Sequence, residues 1–313
     1  MEPHQAHAGL QDAAPMPPKK RKRIIVLRLI RFPLVLALGA VMLRLFGCAD
    51  RLFFMPVREP LPAPPGAVAV RFESDGRTLH GWFFPAPGAS ADNPAPAVVH
   101  CHGNAGNMRD HAAFASFLPA AGISVLMFDY RGYGESGRGP LTREGLVEDT
   151  LAALTHARTL PQVDPKRLGL YGVSLGGTPA IAAAAQDQGV AAIATQAAFS
   201  SWKTVAGDTL PLVGSLVVGP GVDAEKLVGS LGDRPLLVAH GSADTIVPVG
   251  HASRIADAAR DAGVDAELVI VEGADHNDWP FTHPQMSKAI TAFFVRTLAP
   301  IQGVQTPGAP LRP

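Results

Sequence analysis

The segment from Leu168 to Gly177 constrains the fold of this chain more than any other. Its apolar first part is typical of a buried strand, and the sequence Gly-Val-Ser-Leu-Gly-Gly follows at once. The alanine-rich run 178–185 then predicts a helix. Gly172 and Gly176 flank Ser174, where a Cβ at either position would collide across a tight turn. The pattern therefore predicts a strand, a sharp turn that lifts a serine hydroxyl above a sheet, and a helix.

Ser174 is a candidate nucleophile, and a nucleophilic serine needs a base and a group that orients the base. Asp244 follows a predicted strand at 235–241, and His276 follows the next one at 266–272. Parallel strands bring their carboxyl ends to one edge of a sheet, so all three side chains are expected there. We predict that His276 takes the serine proton and that Asp244 orients the imidazole.

An oxyanion hole is expected beside this serine. The predicted strand 96–102 leads into the small, polar loop His-Gly-Asn-Ala-Gly-Asn, whose backbone can approach a substrate closely. Leu175 opens the predicted helix, and a helix N-terminus favours negative charge. We therefore predict that the backbone N–H groups of Asn104 and Leu175 donate to the oxyanion.

No cofactor, metal or nucleic-acid partner is predicted. The sequence contains neither a His-Glu-x-x-His pattern nor a cysteine cluster. We therefore interpret His100, His102 and His240 as core and strand-end residues rather than metal ligands. The segment 132–137 matches Gly-x-Gly-x-x-Gly, but a helical pattern begins only near Thr142, which argues against a dinucleotide site. The formal net charge is +0, which gives no support to nucleic-acid binding. Two cysteines exclude a disulfide framework.

Four motifs occur in order along the chain: 102–107, 129–136, 171–177 and 240–244. Together they resemble the compact, membrane-tethered branch of the α/β-hydrolase superfamily, which is related to serine-aminopeptidase-like and dienelactone-hydrolase-like enzymes. The resemblance covers about residues 65–300. It implies an α/β-hydrolase fold and a serine hydrolase acting on esters or thioesters. Because that branch includes acyl-protein thioesterases and lysophospholipid lipases, acylated proteins and acyl lipids are both candidate substrates.

The alternation of strand and helix patterns predicts an α/β fold, with a mostly parallel eight-stranded sheet covered by helices on both faces. Strands are predicted at 67–73, 78–84, 96–102, 123–129, 167–173, 190–196, 235–241 and 266–272. Helices are predicted at 107–120, 142–159, 175–186, 250–262 and 281–298. The insertion 198–232 is predicted as a short cap. Its apolar residues either pack on the core or form a wall for an acyl chain.

The composition divides the chain into five parts, which are a disordered basic N-terminus at 1–23, a membrane anchor or signal segment at 24–49, a Pro-rich linker at 50–66, a catalytic domain at 67–300 and a flexible tail at 301–313. The basic cluster before the apolar segment predicts that the catalytic domain lies on the non-cytoplasmic side, as in a bacterial periplasm. The sequence Leu-Phe-Gly-Cys resembles a lipobox. Either Cys48 is lipidated or the segment stays as a transmembrane anchor.

These observations favour a membrane-tethered serine hydrolase that cleaves carboxylic esters or thioesters of a small-molecule or lipid acyl substrate. Two alternatives remain at this point. One is an aminopeptidase-like serine peptidase, for which Asp208, Asp223 and Glu225 are the acidic candidates to hold a substrate amine. The other is a membrane-tethered binding protein without turnover. The sequence does not determine the number of subunits.

Overall fold

The computed structural model describes residue 39 and residues 53–211, 213–219, 221–278 and 282–299. The predicted basic N-terminus and C-terminal tail, and all of the predicted anchor except Gly39, lie outside this part. In the part described, no helix is long and apolar enough to cross a bilayer. The anchor, its orientation and the lipidation of Cys48 therefore stay predictions.

The central sheet has eight strands, which confirms the predicted number. In chain order, the ten strands of the described residues are β1 (Met55–Pro56), β2 (Val68–Ser74), β3 (Arg77–Phe84), β4 (Ala95–Cys101), β5 (Ala105–Gly106), β6 (Ser124–Phe128), β7 (Val163–Val173), β8 (Val190–Gln196), β9 (Leu236–Gly241) and β10 (Ala266–Val271). The order across the sheet is β10-β9-β8-β7-β4-β6-β3-β2, and β1 pairs separately with β5. The first six strands in this order, which are β10, β9, β8, β7, β4 and β6, are parallel to one another. Strand β3 runs antiparallel to both β6 and β2. The sheet is therefore mostly parallel, as predicted.

Helices cover both faces of this sheet. They are α1 (Arg143–Ala157), α2 (Gly177–Gln186), α3 (Trp202–Thr209), α4 (Gly214–Val217), α5 (Ala224–Leu227), α6 (Gly250–Asp261) and α7 (Pro284–Thr297). The core residues of α1, α2 and α6 join one cluster with Val99 of β4, and those of α7 join a second cluster with Val98. Successive strand residues point to opposite faces, so these two clusters are the two sides of the sheet.

The prediction of a helix at 107–120 is wrong. The structure has two short 3₁₀ turns there, Ala112–Phe114 and Pro119–Ala121. The backbone N–H of Met108 donates to the buried carboxylate of Asp129 at 2.7 Å, and Pro119 has no N–H to donate. A long-range contact and a proline therefore outweigh the helical composition of this segment.

The cap insertion divides into a buried part and an exposed part. Trp202 is buried, and its ring lies 5.0 Å from that of Phe199. Leu210, Val213 and Leu216 are exposed instead, with Leu216 at 59%. Leu212 lies outside the described residues. Thus the first helix of the insertion packs on the core, and the residues that follow it present apolar side chains to solvent.

Candidate active site

Ser174 lies in the tight turn between β7 and α2, with φ at +52°. A residue with a side chain rarely adopts this conformation, which costs on the order of 1–3 kcal/mol. A Cβ on Gly172 would stand 2.6 Å from the Cα of Gly177. A Cβ on Gly176 would stand 2.7 Å from the carbonyl oxygen of His102 and closer still to that of Cys101. Both flanking glycines are thus needed for the turn to form and to fit against the end of β4.

Asp244 and His276 approach Ser174 from the loops that follow β9 and β10. These loops are in close contact, because a Cβ on Gly241 would lie 2.8 Å from the carbonyl carbon of Ala274. His276 Nδ1 lies 2.8 Å from Asp244 Oδ2, and His276 Nε2 lies 3.1 Å from Ser174 Oγ. With a proton on Nδ1 donated to the carboxylate, Nε2 is free to accept the serine hydroxyl proton. The structure therefore brings together the three residues predicted as nucleophile, acid and base.

Four donors surround the carboxylate of Asp244. Oδ1 accepts the backbone N–H groups of Ile246 at 3.0 Å and Val247 at 2.8 Å. Oδ2 faces His276 and also His240, whose Nε2 lies 3.1 Å away. Burial alone would raise the pKa of Asp244, but the hydrogen bonds from the two histidines and from Val247 outweigh it and hold the pKa well below its ordinary value. Asp244 thus stays ionised beside the imidazole.

The sequence did not predict the contact of His240 with this carboxylate. Its imidazole is fully buried, and Nε2 also lies 2.8 Å from the carbonyl oxygen of Val247. The interpretation as a core residue is correct for its burial, but the contact with Asp244 was missed. The available signal was its place at the end of β9, four residues before the acid.

The loop 102–107, here called the oxyanion loop, lies beside the serine turn. Gly176 touches the end of β4 where this loop begins, and Leu175 follows the serine directly. Among the described residues, the backbone N–H groups of Asn104 and Leu175 are not used in hydrogen bonds to other protein groups. Both are therefore available to a substrate oxygen, and their role as oxyanion donors stays a prediction.

His102, the first residue of the oxyanion loop, forms a buried pair of titratable groups with Asp129. His102 Nδ1 is 2.7 Å from the carbonyl oxygen of Gly103, and His102 Nε2 is 3.5 Å from Asp129 Oδ1. Burial lowers the pKa of His102 well below its ordinary value and raises that of Asp129 to about 7. Asp129 also accepts the N–H of Met108. This carboxylate thus contacts the first residue of the loop and the residue directly after it.

Two of the three acidic candidates for binding a substrate amine are engaged in the structure of the cap. Asp208 pairs with His251 at 2.9 Å. Asp223 accepts the backbone N–H of Trp202 at 3.0 Å and pairs with Lys226 at 2.8 Å. Glu225 lies half-buried in the short helix α5.

The described residues contain no group of three or more His, Cys, Asp or Glu side chains arranged to hold a metal ion.

Comparison with known proteins agrees with this architecture. A family model for the alpha/beta hydrolase fold matches residues 96–219, and the model of the prolyl oligopeptidase family matches residues 221–300. The uncharacterized protein YfhR of Escherichia coli O157:H7 is 36% identical over 220 residues, which are 69% of this chain and 76% of that protein.

Solved structures are similar in fold. An esterase of Pyrococcus furiosus superposes with a TM-score of 0.65 at 19% identity, over 78% of this chain and 97% of the esterase. An acylaminoacyl peptidase of Pyrococcus horikoshii superposes with a TM-score of 0.62 at 19% identity, over 76% of this chain and 43% of the peptidase. The strand order, the family models and the relative that is 36% identical agree with one another. The chain therefore belongs to the α/β-hydrolase family and is a hydrolase.

Proposed function

We propose that this protein is a serine hydrolase that cleaves carboxylic esters or thioesters through an acyl-enzyme on Ser174. The observation that carries the proposal is the imidazole of His276, which contacts the serine hydroxyl on one side and an ionised carboxylate on the other. A serine nucleophile, a base and an orienting acid are the three members of a catalytic triad for acyl transfer.

In the proposed reaction, Ser174 Oγ attacks the acyl carbonyl carbon while its proton moves to His276 Nε2. The carbonyl oxygen becomes an oxyanion and accepts hydrogen bonds from the N–H groups of Asn104 and Leu175. His276 then protonates the leaving alcohol or thiol as its bond to the acyl carbon breaks. Water repeats the sequence on the acyl-enzyme, which releases the acid and returns the proton to Ser174. Asp244 stabilises the imidazolium throughout without being protonated.

We further propose that the substrate carries an acyl chain and that the apolar segment 24–49 holds the enzyme at a membrane, with the catalytic domain on the non-cytoplasmic side. Leu210, Val213 and Leu216 support the first part, because they leave an exposed apolar surface on the cap. The hydropathy of 24–49 and the basic residues before it support the second. Acyl lipids and acylated proteins both present such chains.

A peptidase is the second candidate. The match to the prolyl oligopeptidase family covers residues 221–300, which include Asp244 and His276. An amine-binding carboxylate would favour this function, but Asp208 and Asp223 are already paired with basic side chains of this protein. The two functions are distinguished by comparing the turnover rates of aminoacyl naphthylamides and p-nitrophenyl esters. We expect the esters to react faster.

The proposed function is tested by Ser174→Ala in the full chain, with p-nitrophenyl butyrate and octanoate as substrates. Ester turnover should fall to the background of the assay. Ser116→Ala is the matched control, because Ser116 is exposed between the two 3₁₀ turns and far along the chain from the triad. Turnover that persists in Ser174→Ala would contradict the assignment of the nucleophile.

A further inference from the structure

The segment Phe53–Glu59, here called the strap, lies against the oxyanion loop rather than projecting as a free linker. Its strand β1 pairs in parallel with β5, which places Met55 opposite Ala105 and Pro56 opposite Gly106. The N–H of Val57 donates to the carbonyl oxygen of Gly106 at 2.8 Å. The strap thus forms a backbone ladder with the loop that carries Asn104.

The side-chain amide of Asn104 is the main polar link between the strap and the loop. Its Nδ2 donates to the carbonyl oxygen of Phe53, and its Oδ1 accepts the N–H of Met55 at 3.1 Å. The hydroxyl of the buried Tyr133 donates to the same Oδ1 at 3.2 Å. All three contacts of the side chain therefore fix the residue whose backbone N–H is the proposed oxyanion donor.

The strap is itself held on its other side by the loop after β6. The N–H of Gly134 donates to the carbonyl oxygen of Val57 at 3.0 Å, and Arg58 donates to the carbonyl oxygen of Ser136 at 2.8 Å. At its far end, Glu59 Oε1 accepts Asn107 Nδ2 at 3.1 Å. The strap is thus wedged between two loops at the carboxyl edge of the sheet, and it reaches both halves of the oxyanion loop.

The strap also contacts the cap. The rings of Phe53 and Phe54 lie 5.9 and 6.0 Å from the ring of Trp202, both in edge-to-face arrangements. Phe54 is buried, whereas Met55 between it and Pro56 is 57% exposed. The aromatic residues therefore anchor the start of the strap, and the backbone at Met55 is left to bond Asn104.

We propose that the strap is a positioning element for catalysis, which orients the Asn104 N–H toward the oxyanion through the Asn104 side chain. This inference rests on the proposed serine hydrolase function. Oxyanion donors act by being held in place before charge develops, and a displacement of about 1 Å can cost on the order of 100-fold in rate. Loosening the strap should therefore lower kcat more than it raises KM.

The test compares Met55→Pro with Met55→Ala in the full chain. Proline removes the N–H that bonds Asn104 Oδ1, whereas alanine keeps it and changes only an exposed side chain. We expect Met55→Pro and Asn104→Ala each to lower kcat for p-nitrophenyl butyrate by about tenfold or more, with KM changed by less than about twofold. Met55→Ala should retain most of its kcat. Thermal midpoints measured in parallel report whether each variant folds.

Equal kcat values for the proline and alanine variants would overturn the proposal. The proposal would also be overturned if the proline and alanine variants both lost kcat in proportion to a fall in their thermal midpoints. If Asn104→Ala does not fold, Tyr133→Phe takes its place, because it removes one donor to the same Oδ1 and should lower kcat in the same direction. Ser174→Ala is assayed alongside: activity in that variant refutes the proposed function, whereas a dead Ser174→Ala with an unaffected Met55→Pro refutes the strap alone.

Discussion

Replacing Gly176 by alanine should strongly lower activity by separating the serine turn from the oxyanion loop. The added Cβ would lie 2.7 Å from the carbonyl oxygen of His102 and closer to that of Cys101. Both neighbours are backbone atoms at the end of β4, so no side-chain rotation can relieve the contact. Ordinary van der Waals contact of a Cβ begins at 3.4 Å. The two backbones must therefore separate by roughly 1 Å.

Two costs follow from this separation. Forcing an extra carbon into a packed region typically destabilises a protein by about 1–3 kcal/mol. A shift of about 1 Å between Ser174 and the N–H of Asn104 costs on the order of 100-fold in rate. We expect kcat/KM for p-nitrophenyl butyrate to fall by about 100-fold or more, with a lowered thermal midpoint.

Gly250→Ala is the matched control. This glycine opens α6, and a Cβ added there meets nothing within 4 Å. Alanine at a compatible backbone position stabilises a protein by about 0.4–1 kcal/mol, so Gly250→Ala should keep its activity and its thermal midpoint or raise the latter. If Gly176→Ala retained kcat/KM within about threefold of the parent, the turn and the loop would not be in the close register described here.

Three further predictions concern the acid, the buried carboxylate and the cap. Asp244→Asn should favour the wrong imidazole tautomer and lower kcat by about four orders of magnitude, while near-normal kcat would point to another orienting group. The pKa of Asp129 is raised to about 7 by burial, so the folded state binds its proton more tightly than the unfolded state. The free energy of unfolding of the parent relative to Asp129→Asn should therefore fall as pH rises from about 4 to about 7, by about 4 kcal/mol at most. Denaturant unfolding of both proteins at each pH measures this difference. A difference that does not change with pH would contradict the burial argument. Leu216→Asp should reduce the preference for octanoate over butyrate with little loss of stability, since each buried CH₂ of the acyl chain contributes about 0.8 kcal/mol. An unchanged ratio of octanoate to butyrate turnover would mean that Leu216 does not contact the acyl chain.

The sequence sufficed for the parts of this protein that local patterns determine. Buried strands followed by short loops placed Ser174, Asp244 and His276 at one edge of the sheet, and the structure brings their side chains within hydrogen-bonding distance. The geometry follows from topology, because parallel strands end at the same edge. Their catalytic roles remain predictions that the experiments above test.

Long-range contacts explain what sequence patterns could not predict. The helical composition of 107–120 did not indicate that Asp129, which follows β6, accepts a hydrogen bond from the N–H of Met108. Proline-rich composition indicated a linker before residue 67, yet Phe53 and Met55 bond a loop about fifty positions away. In both cases a partner distant along the chain decides the local conformation.

In the proposed mechanism, Ser174 is the nucleophile and His276 activates it. The most direct measurement is covalent labelling of the full chain with a fluorophosphonate, followed by mass spectrometry of its peptides. We expect one phosphonyl group on the peptide that contains Ser174, no labelling in Ser174→Ala, and labelling slowed by about 100-fold or more in His276→Ala. An adduct on a different residue, or undiminished labelling in either variant, would contradict it.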